Sequence, residues 1–283
     1  MKKVFAIDFD DPAVLPENLP RRDMRKWAEE ARYYSSFAAL SRLGHELAPV
    51  LGKDTVLLPG SGDFHHLSYL MIRNISDKAV HVVVFDNHPD NMFFPSGIHC
   101  GSWVYHVARL PHVSRIFVIG IASKDLSGAN ILQNRYSVMK KGKVIYYCMS
   151  GVPRLLSMLA GNAVIQHSSP ALIEELLRRL VSLPQPVYLS IDKDVLSPEE
   201  ISTTWDQGIM STADLLRYVG ILAPRVTAAD IVGDISRHAY TSAAKRLVRR
   251  LDGAERWPAN PRAEQLKHAD INLKIICLLS GII

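Results

Sequence analysis

The 283-residue chain is poor in the features that mark secreted and membrane proteins. Its longest apolar stretches fall well short of the roughly 20 residues that a membrane span needs. The short apolar run after Met1-Lys2-Lys3 soon reaches acidic residues, which argues against a signal peptide. There are only three cysteines, Cys100, Cys148 and Cys277, and their spacing matches no metal motif. This cysteine usage predicts a reducing, cytoplasmic location.

Charge and composition exclude further classes of protein. The formal net charge of +5 comes from positive residues spread along the chain, so no nucleic-acid surface is predicted. No internal repeat, low-complexity tract or linker divides the sequence. A hydrophobic content of 48% with 22% charged residues is ordinary for a soluble globular enzyme. We therefore expect one large catalytic domain over residues 1–283.

The most informative stretch joins an apolar run to alternating polar side chains. Residues 82–85 are mostly β-branched and have the length of a strand buried on both faces. Asp86, His88 and Asp90 follow at alternating positions, which lie on one side of an extended backbone. Two carboxylates and an imidazole at the end of a strand suit a divalent cation. The alternative is a turn in which the Asp and Asn side chains bond their own backbone.

Two further apolar runs end in residues of the same kind. The run 186–191 is followed by Asp192-Lys193-Asp194, whose alternation places both aspartates on one side and the lysine on the other. The run 55–58 leads into a glycine-containing turn and then His65-His66, where a helix is predicted to begin. Successive residues at a helix start point about 100° apart. One histidine of the pair is therefore interpreted as a ligand and the other as its neighbour.

The pattern of elements predicts an α/β fold. Further strands are predicted over residues 3–9, 115–121, 143–148 and 226–235, and helices over 21–47, 102–108, 171–181, 211–222, 241–251 and 263–279. Their alternation indicates a three-layer αβα architecture with a central, mostly parallel sheet. Ligands of such sheets bind beyond the carboxyl ends of the strands, and the Asp and His residues fall at those ends.

The candidate ligands together predict two metal ions. Three strand ends supply His65 or His66, then Asp86, His88 and Asp90, then Asp192 and Asp194. Four buried carboxylates without a cation would repel one another and would be forced to protonate. Two divalent ions would neutralise them through shared carboxylates. The oxygen-rich set favours two Mn²⁺ ions per chain, with Zn²⁺ or another divalent ion as the alternative.

Three motifs occur in an order that resembles a known family. They are Gly62-Asp63-Phe64-His65, Asp86-Asn87-His88-Pro89-Asp90 and Ser190-Ile191-Asp192-Lys193-Asp194. The chain resembles the ureohydrolase family of arginases, agmatinases and formimidoylglutamases, as a divergent member. This resemblance implies the arginase-like fold, a small-molecule substrate and a homo-oligomer, commonly a trimer or hexamer. The charge distribution and the short apolar stretches predict no nucleic-acid or membrane partner.

The resemblance also implies a role for each ligand. One metal would take His65, Asp86, Asp90 and Asp192, and the other would take His88, Asp86, Asp192 and Asp194, so that Asp86 and Asp192 would bridge. The family places a hydroxide between two Mn²⁺ ions, poised to attack a guanidinium or amidine carbon. A water bridging two such ions gives up a proton near neutral pH.

A loop histidine completes the predicted catalytic set. His99, in the run Ser96-Gly97-Ile98-His99, matches the family's loop histidine, which would transfer protons to the leaving amine. The alternative is a solvent-facing loop residue. His99 and Asp90 are the predicted catalytic residues, and Ser96 and Asp234 are candidates for binding the substrate.

Two departures from the family pattern concern the substrate. Met92-Phe93-Phe94 stands where arginases carry polar residues that bind the amino-acid head, which suggests a less polar substrate. Gly233 stands where the family has a glutamate for the guanidinium. Asp234 lies beside it and is expected to face the other side of the sheet. The missing carboxylate removes a charge-assisted partner of the substrate cation.

These features favour a metal-dependent hydrolase of the ureohydrolase type. It would cleave a linear C–N bond of a guanidino, amidino or related compound other than arginine. The first alternative is a zinc-dependent deacetylase of the same fold, which would hold a single metal by two aspartates and one histidine. The second is a metal-binding homologue without activity, which Gly233 keeps open. Asp90, Asp194 and a histidine at position 65 or 66 argue for two metals, and His99 argues for catalysis.

Overall fold

Eleven strands are described in the computed structural model, which covers residues 1–10, 16, 18–75, 77, 79–251 and 257–281. In chain order they are β1 (Lys3–Asp8), β2 (Arg21–Asp23), β3 (Tyr34–Ser35), β4 (Thr55–Ser61), β5 (Val80–Phe85), β6 (Ile98–His99), β7 (Val113–Ile121), β8 (Val144–Cys148), β9 (Val164–Ile165), β10 (Val187–Asp192) and β11 (Val226–Asp234). Nine of them form one sheet in the order β2-β1-β4-β11-β10-β5-β7-β8-β9. All its described ladders are parallel. The remaining two, β3 and β6, pair antiparallel.

Helices cover both faces of this sheet. They are α1 (Ala28–Ala31), α2 (Phe37–Leu47), α3 (Ser68–Arg73), α4 (Trp103–Ala108), α5 (Tyr136–Lys140), α6 (Arg154–Ala160), α7 (Pro170–Ser182), α8 (Thr212–Leu222), α9 (Ala243–Leu251) and α10 (Pro261–Ser280). Apolar residues of α1 to α6 pack on one face, and those of α7, α8 and α10 pack on the other. The predicted three-layer αβα fold is therefore confirmed.

The central strand β5 shows why the sheet is buried on both sides. Val82 and Val84 belong to the hydrophobic cluster on one face, whereas Val83 and Phe85 belong to the cluster on the other. Successive side chains of a strand point to opposite faces, so an uninterrupted apolar run supplies both clusters. All six residues of β5 are buried, as expected for a strand inside a parallel sheet.

The prediction of one helix over residues 21–47 was wrong. The structure has β2, a 3₁₀ turn at Arg25–Trp27, α1 and β3 before the helix α2 begins. Tyr33 interrupts the helical pattern because its φ is +74°, a left-handed conformation outside the α-helical region. Its backbone N–H donates to the carbonyl of Asp63, 2.8 Å away, so a tertiary contact overrides the local preference. Ser36 then caps α2 by accepting a hydrogen bond from the N–H of Ala39.

The strand order brings the sequence motifs together. The neighbours β4, β11, β10 and β5 lie at the middle of the sheet, and each ends at the same edge because they are parallel. The candidate ligands follow β4 and β5 directly or stand at the end of β10. In the described part of the chain, no helix has the length and apolar character to cross a membrane.

Candidate metal centre

The six candidate ligand side chains converge at the carboxyl edge of the sheet. Five of them, His65, Asp86, Asp90, Asp192 and Asp194, are buried, and His88 is nearly so, with a side chain 13% exposed. The side chains form two groups, each built around one imidazole. The groups meet at Asp86.

The first group surrounds the Nδ1 atom of His65. This atom lies 3.0 Å from Oδ2 of Asp90, 3.2 Å from Oδ2 of Asp86 and 3.5 Å from Oδ2 of Asp192. The histidine stands in a 3₁₀ turn, Gly62–Leu67, that follows β4 without a break. The ligand atoms of His65, Asp86 and Asp90 lie within 4.8 Å of one another, and Asp192 stands beside this group.

The second group surrounds the Nδ1 atom of His88. It lies 3.0 Å from Oδ2 of Asp194 and 3.5 Å from Oδ1 of Asp86. Asp86 therefore presents one carboxylate oxygen to each group. Asp192 lies between Asp194 and the first group, and its Oδ1 accepts the N–H of Asp194 at 3.1 Å. This bond fixes the turn that brings both aspartates to the same side.

The charge balance of the cluster fits divalent cations. Burial, with neighbouring carboxylates, raises the pKa of Asp192 well above its ordinary value and that of Asp194 to about 6. Burial acts to lower the pKa of His65 and His88, but their aspartate partners outweigh it and raise both values. Oδ2 of Asp86 is buried and accepts no hydrogen bond from the described residues. Carboxylate oxygens with imidazole nitrogens are the donors that Mn²⁺ and similar ions take.

Buried hydrogen bonds hold the His65 ring on its Nε2 side, away from the carboxylates that surround Nδ1. Its Nε2 lies 2.8 Å from Oγ of Ser190, and that hydroxyl donates to Oδ2 of Asp230 at 3.1 Å. Asp230 also accepts from the hydroxyls of Ser68 and Tyr188. A metal-binding histidine needs its second nitrogen engaged in this way, because the partner fixes the tautomer and the ring orientation.

The His88 ring has a more exposed partner. Its Nε2 lies 2.9 Å from Oδ1 of Asp206, whose side chain is 42% exposed. Asn87 joins this loop to the strand end: its side-chain N–H donates to the Asp206 carbonyl at 3.0 Å, and its backbone N–H donates to Oδ1 of Asp194 at 3.1 Å. The second position of the Asp-Asn-His-Pro-Asp motif therefore positions a neighbouring loop as well as a candidate ligand.

Asp90 has an unusual backbone conformation. Its φ is +46°, in the left-handed region that aspartate tolerates better than most residues. The indole N–H of Trp103 donates to its Oδ2 at 2.6 Å, and its carbonyl accepts the N–H of Val104 at 3.0 Å. Helix α4 thus holds the Asp90 carboxylate against His65.

Three other predicted site residues, His66, Ser96 and Asp234, lie away from the cluster. His66 points away from the cluster, and its Nε2 lies 3.0 Å from Oγ of Ser35. Ser96 is exposed and is absent from the described lining of the cavity at the cluster. Asp234 is buried on the opposite side of the strand end and pairs with Lys193, as the alternation of the strand predicted.

A cavity of about 240 Å³ opens onto the cluster. All six candidate ligands line it, and His99, Met92 and the amide side chains of Asn130 and Gln133 form part of its wall. Nδ1 of His99 accepts the N–H of Gly101 at 2.9 Å, so the proton of the neutral ring lies on Nε2. The Tyr33 ring packs edge-on against the imidazole, with ring centroids 4.4 Å apart. His99 is therefore a buried cavity residue rather than a solvent-facing one.

The first motif contains a buried ion cluster beside this cavity. Asp63 accepts from Nε of Arg32 at 2.7 Å and from the indole N–H of Trp205 at 3.0 Å. The same guanidinium donates to Asp10 and, at 2.8 Å, to the hydroxyl of Ser236. Burial acts to raise the pKa of Asp63, but Arg32, Arg249 and the hydrogen bond from Trp205 together outweigh it and lower the value. Asp63 thus anchors the loop that carries Trp205 and Asp206.

Five further residues contribute to the site without having been predicted from the sequence: Asn87, Trp103, Trp205, Asp206 and Asp230. Asp230 had a usable signal, because an aspartate inside an apolar strand must find buried partners. Trp205 and Asp206 lie in the loop between β10 and α8, where no periodicity marks them. Trp103 lies in a predicted helix and Asn87 in the second motif, but no local pattern indicates their hydrogen bonds, because these depend on tertiary contacts.

Comparison with known proteins agrees with this geometry. The family model of the Arginase family matches residues 8–233. An uncharacterized protein of Thermotoga maritima is 32% identical over 177 residues, which are 62% of this chain and 56% of that protein. The chain thus spans little more than half the length of this curated relative.

Solved structures share the fold at low sequence identity. Formimidoylglutamase from Bacillus subtilis has a TM-score of 0.58 at 15% identity, over 99% of this chain and 87% of that one. Arginase from Bacillus subtilis has a TM-score of 0.58 at 14% identity, over 99% of both chains. The family match over residues 8–233 covers most of the sequence, and the chain therefore belongs to the arginase family, as a divergent member.

Proposed function

We propose that this protein is a binuclear, divalent-metal-dependent hydrolase that cleaves a linear C–N bond of a guanidino or amidino compound. One observation carries the proposal: two imidazole-centred ligand groups share the Asp86 carboxylate and open onto the same cavity. A single metal ion could not be coordinated by both groups with sensible geometry. The family to which the chain belongs supports the same reaction class.

The residues present fit two cations. His65, Asp86, Asp90 and Asp192 would hold one, and His88, Asp86, Asp192 and Asp194 would hold the other. Oδ2 of Asp86 is buried and accepts no hydrogen bond from the described residues, and this supports the assignment together with the raised pKa values of Asp192 and Asp194. A bound pair of Mn²⁺ ions would supply acidified water and would polarise the group under attack.

His99 would donate the proton that the leaving amine requires. Its Nδ1 is engaged by the N–H of Gly101, so Nε2 carries the proton in the neutral ring. The ring is held by Tyr33 and lines the cavity, where it can donate to a departing nitrogen. Replacing it by Asn should retain both metals while lowering the rate about 10²- to 10⁴-fold.

The cavity wall argues against free arginine as the substrate. Met92 lines the cavity, and Phe93 and Phe94 next to it offer no group that pairs with an amino-acid head. Gly233 offers no carboxylate to a guanidinium. A lost hydrogen bond to a charged group costs about 1.5–3 kcal/mol, or roughly ten- to a hundredfold in rate.

The direct test is product release by Mn²⁺-loaded protein. Urea should be measured with arginine, agmatine and bulkier guanidines, and ammonia with amidines and N-formimidoyl compounds. Turnover of at least one cationic C–N substrate is expected, with chelator-treated protein and the His99→Asn variant as controls. Turnover of acetylated amines with a single bound Zn²⁺ would instead support a deacetylase, and efficient turnover of arginine at millimolar or lower concentration would contradict the proposed specificity.

A further inference from the structure

Gly233, where the family resemblance implies a carboxylate for the substrate, leaves no room for a side chain in this chain. Gly233 has a φ of +90°, and a Cβ atom there would lie 2.5 Å from Oδ1 of Asp192 and 2.6 Å from the backbone N of Lys193. Both distances are shorter than real Cβ contacts, so no side chain fits without displacing a candidate metal ligand. Asp234 cannot replace it, because its carboxylate is buried against Lys193 and Asn272.

A different carboxylate lies at the cavity. Asp206 lines the cavity, and its Oδ1 lies 2.9 Å from Nε2 of His88. The Asn87 side chain holds the carbonyl of Asp206 at 3.0 Å and lies 3.5 Å from its Oδ2. The preceding residue, Trp205, is anchored to the buried Asp63 at 3.0 Å. The carboxylate is therefore held in place from two directions while 42% of its side chain remains exposed.

We propose that Asp206 binds the cationic end of the substrate and takes over the role that Gly233 cannot fill. This assignment rests on the proposed function, since it concerns a guanidinium or amidinium group. A carboxylate has about four lone-pair positions, so Asp206 can keep its contact with His88 and still accept N–H bonds from a ligand. Planar cations with two parallel N–H groups bind carboxylates in this way. The contact to His88 places the cation beside the metal cluster.

The experiment compares a cation with its neutral isostere. Binding of methylguanidinium and of methylurea to Mn²⁺-loaded protein is measured by calorimetry for the wild type and for Asp206→Asn. The amide keeps an acceptor for His88 and the shape of the carboxylate, but it removes the charge. The variant should bind methylguanidinium about ten- to a hundredfold more weakly, with methylurea binding unchanged. Its metal content and melting temperature should match the wild type.

Two further variants sharpen this comparison. Asp270→Asn removes an exposed carboxylate on α10 and should change neither binding constant. Asp125→Asn removes another carboxylate that lines the cavity, and it should have a smaller effect than Asp206→Asn. An effect of Asp125→Asn that exceeds that of Asp206→Asn would overturn the assignment.

Other results would also overturn it. One is an absence of methylguanidinium binding in the wild type. Another is that Asp206→Asn weakens the binding of methylguanidinium and of methylurea equally. The third is a loss of metal in Asp206→Asn, which would make Asp206 a positioning residue for His88. The calorimetry needs no turnover. Charge-specific binding without hydrolysis of any substrate would therefore refute the proposed function alone, whereas hydrolysis of a cation unaffected by Asp206→Asn would refute this assignment alone.

Discussion

The end of β10 carries two buried charge clusters, one on each side of the strand. Asp192 and Asp194 point to the cavity, where the described side chains offer imidazoles but no lysine or arginine. Lys193 points to the opposite side, where its Nζ pairs with Asp234 and lies 2.8 Å from Oδ1 of Asn272. Both clusters are nearly inaccessible to solvent.

The difference lies in where each cluster finds its positive charge. On the Lys193 side the chain supplies its own cation, and the ion pair is complete within the protein. On the cavity side four carboxylates crowd together, and burial raises the pKa of Asp192 and Asp194. Such a cluster is costly unless a cation from outside joins it. The Lys193 side is therefore structural, whereas the cavity side has the charge expected of a cation-binding site.

The largest expected effect comes from the carboxylate that both ligand groups share. Asp86→Asn should lose both ions and all hydrolysis, because each group then lacks an oxygen donor with charge. In metal-free protein the same variant should be as stable as the wild type or more stable, since one repelling carboxylate is gone. Metal analysis and thermal unfolding with and without Mn²⁺ check both statements. A metal-free variant that is clearly less stable than the wild type would contradict this, because it would show that the side chains of the cluster stabilise one another without a metal ion.

A smaller effect separates the two adjacent histidines. His65→Ala should lose one of two ions, because His65 centres only the first ligand group. His66→Ala should retain both ions, because His66 points toward Ser35. Metal content of the two variants is the measurement. The reverse ranking would mean that the first ligand group is assigned to the wrong histidine.

The Lys193 side should respond in stability rather than in metal binding. Lys193→Met leaves Asp234 buried with a lost partner, which typically costs about 3–5 kcal/mol. The matched control is Lys274→Met, which breaks an exposed pair with Asp270 and should cost less than about 1 kcal/mol. Denaturant unfolding gives both values. Equal costs would contradict the distinction between a buried structural pair and a solvated one.

The smallest predicted effect depends on pH. Burial, with Lys193 nearby, lowers the pKa of His268 to about 4, whereas the unfolded chain has an ordinary value near 6.5. Because the unfolded state takes up the proton first, this residue's contribution to stability is complete above about pH 6.5 and falls as pH drops toward 4. The loss is up to about 3 kcal/mol.

The variant His268→Gln isolates this contribution. Glutamine retains a donor toward the carbonyl of Ser202, which His268 Nε2 contacts at 3.0 Å, but it does not titrate. The stability difference between wild type and variant should shrink as pH falls from 7 to 4. A difference independent of pH would mean that His268 is not held neutral by its surroundings.

Much of the fold and the convergence of the candidate ligands could be predicted because both follow from periodicity. Apolar runs such as 82–85 identified buried parallel strands, and alternation placed Asp192 and Asp194 opposite Lys193, as the structure confirms. Parallel strands end at one edge, so residues far apart in sequence were expected to meet. The family resemblance was confirmed by the match over residues 8–233.

The parts that could not be predicted depend on contacts between distant segments. The helix expected over 21–47 is interrupted where Tyr33 binds the carbonyl of Asp63, a contact that no local pattern reveals. Asp206 lies in an irregular loop and reaches His88 only because Asn87 and Asp63 hold that loop. Periodicity locates regular elements, but it does not tell which loop closes over a cavity.

Anomalous diffraction from crystals of Mn²⁺-loaded protein tests the central claim most directly. We expect two metal peaks per chain, one at the group of His65, Asp86, Asp90 and Asp192 and one at the group of His88, Asp86, Asp192 and Asp194. Both peaks should be absent from crystals of Asp86→Asn. A single peak at saturating Mn²⁺, or two peaks away from these side chains, would contradict the binuclear centre.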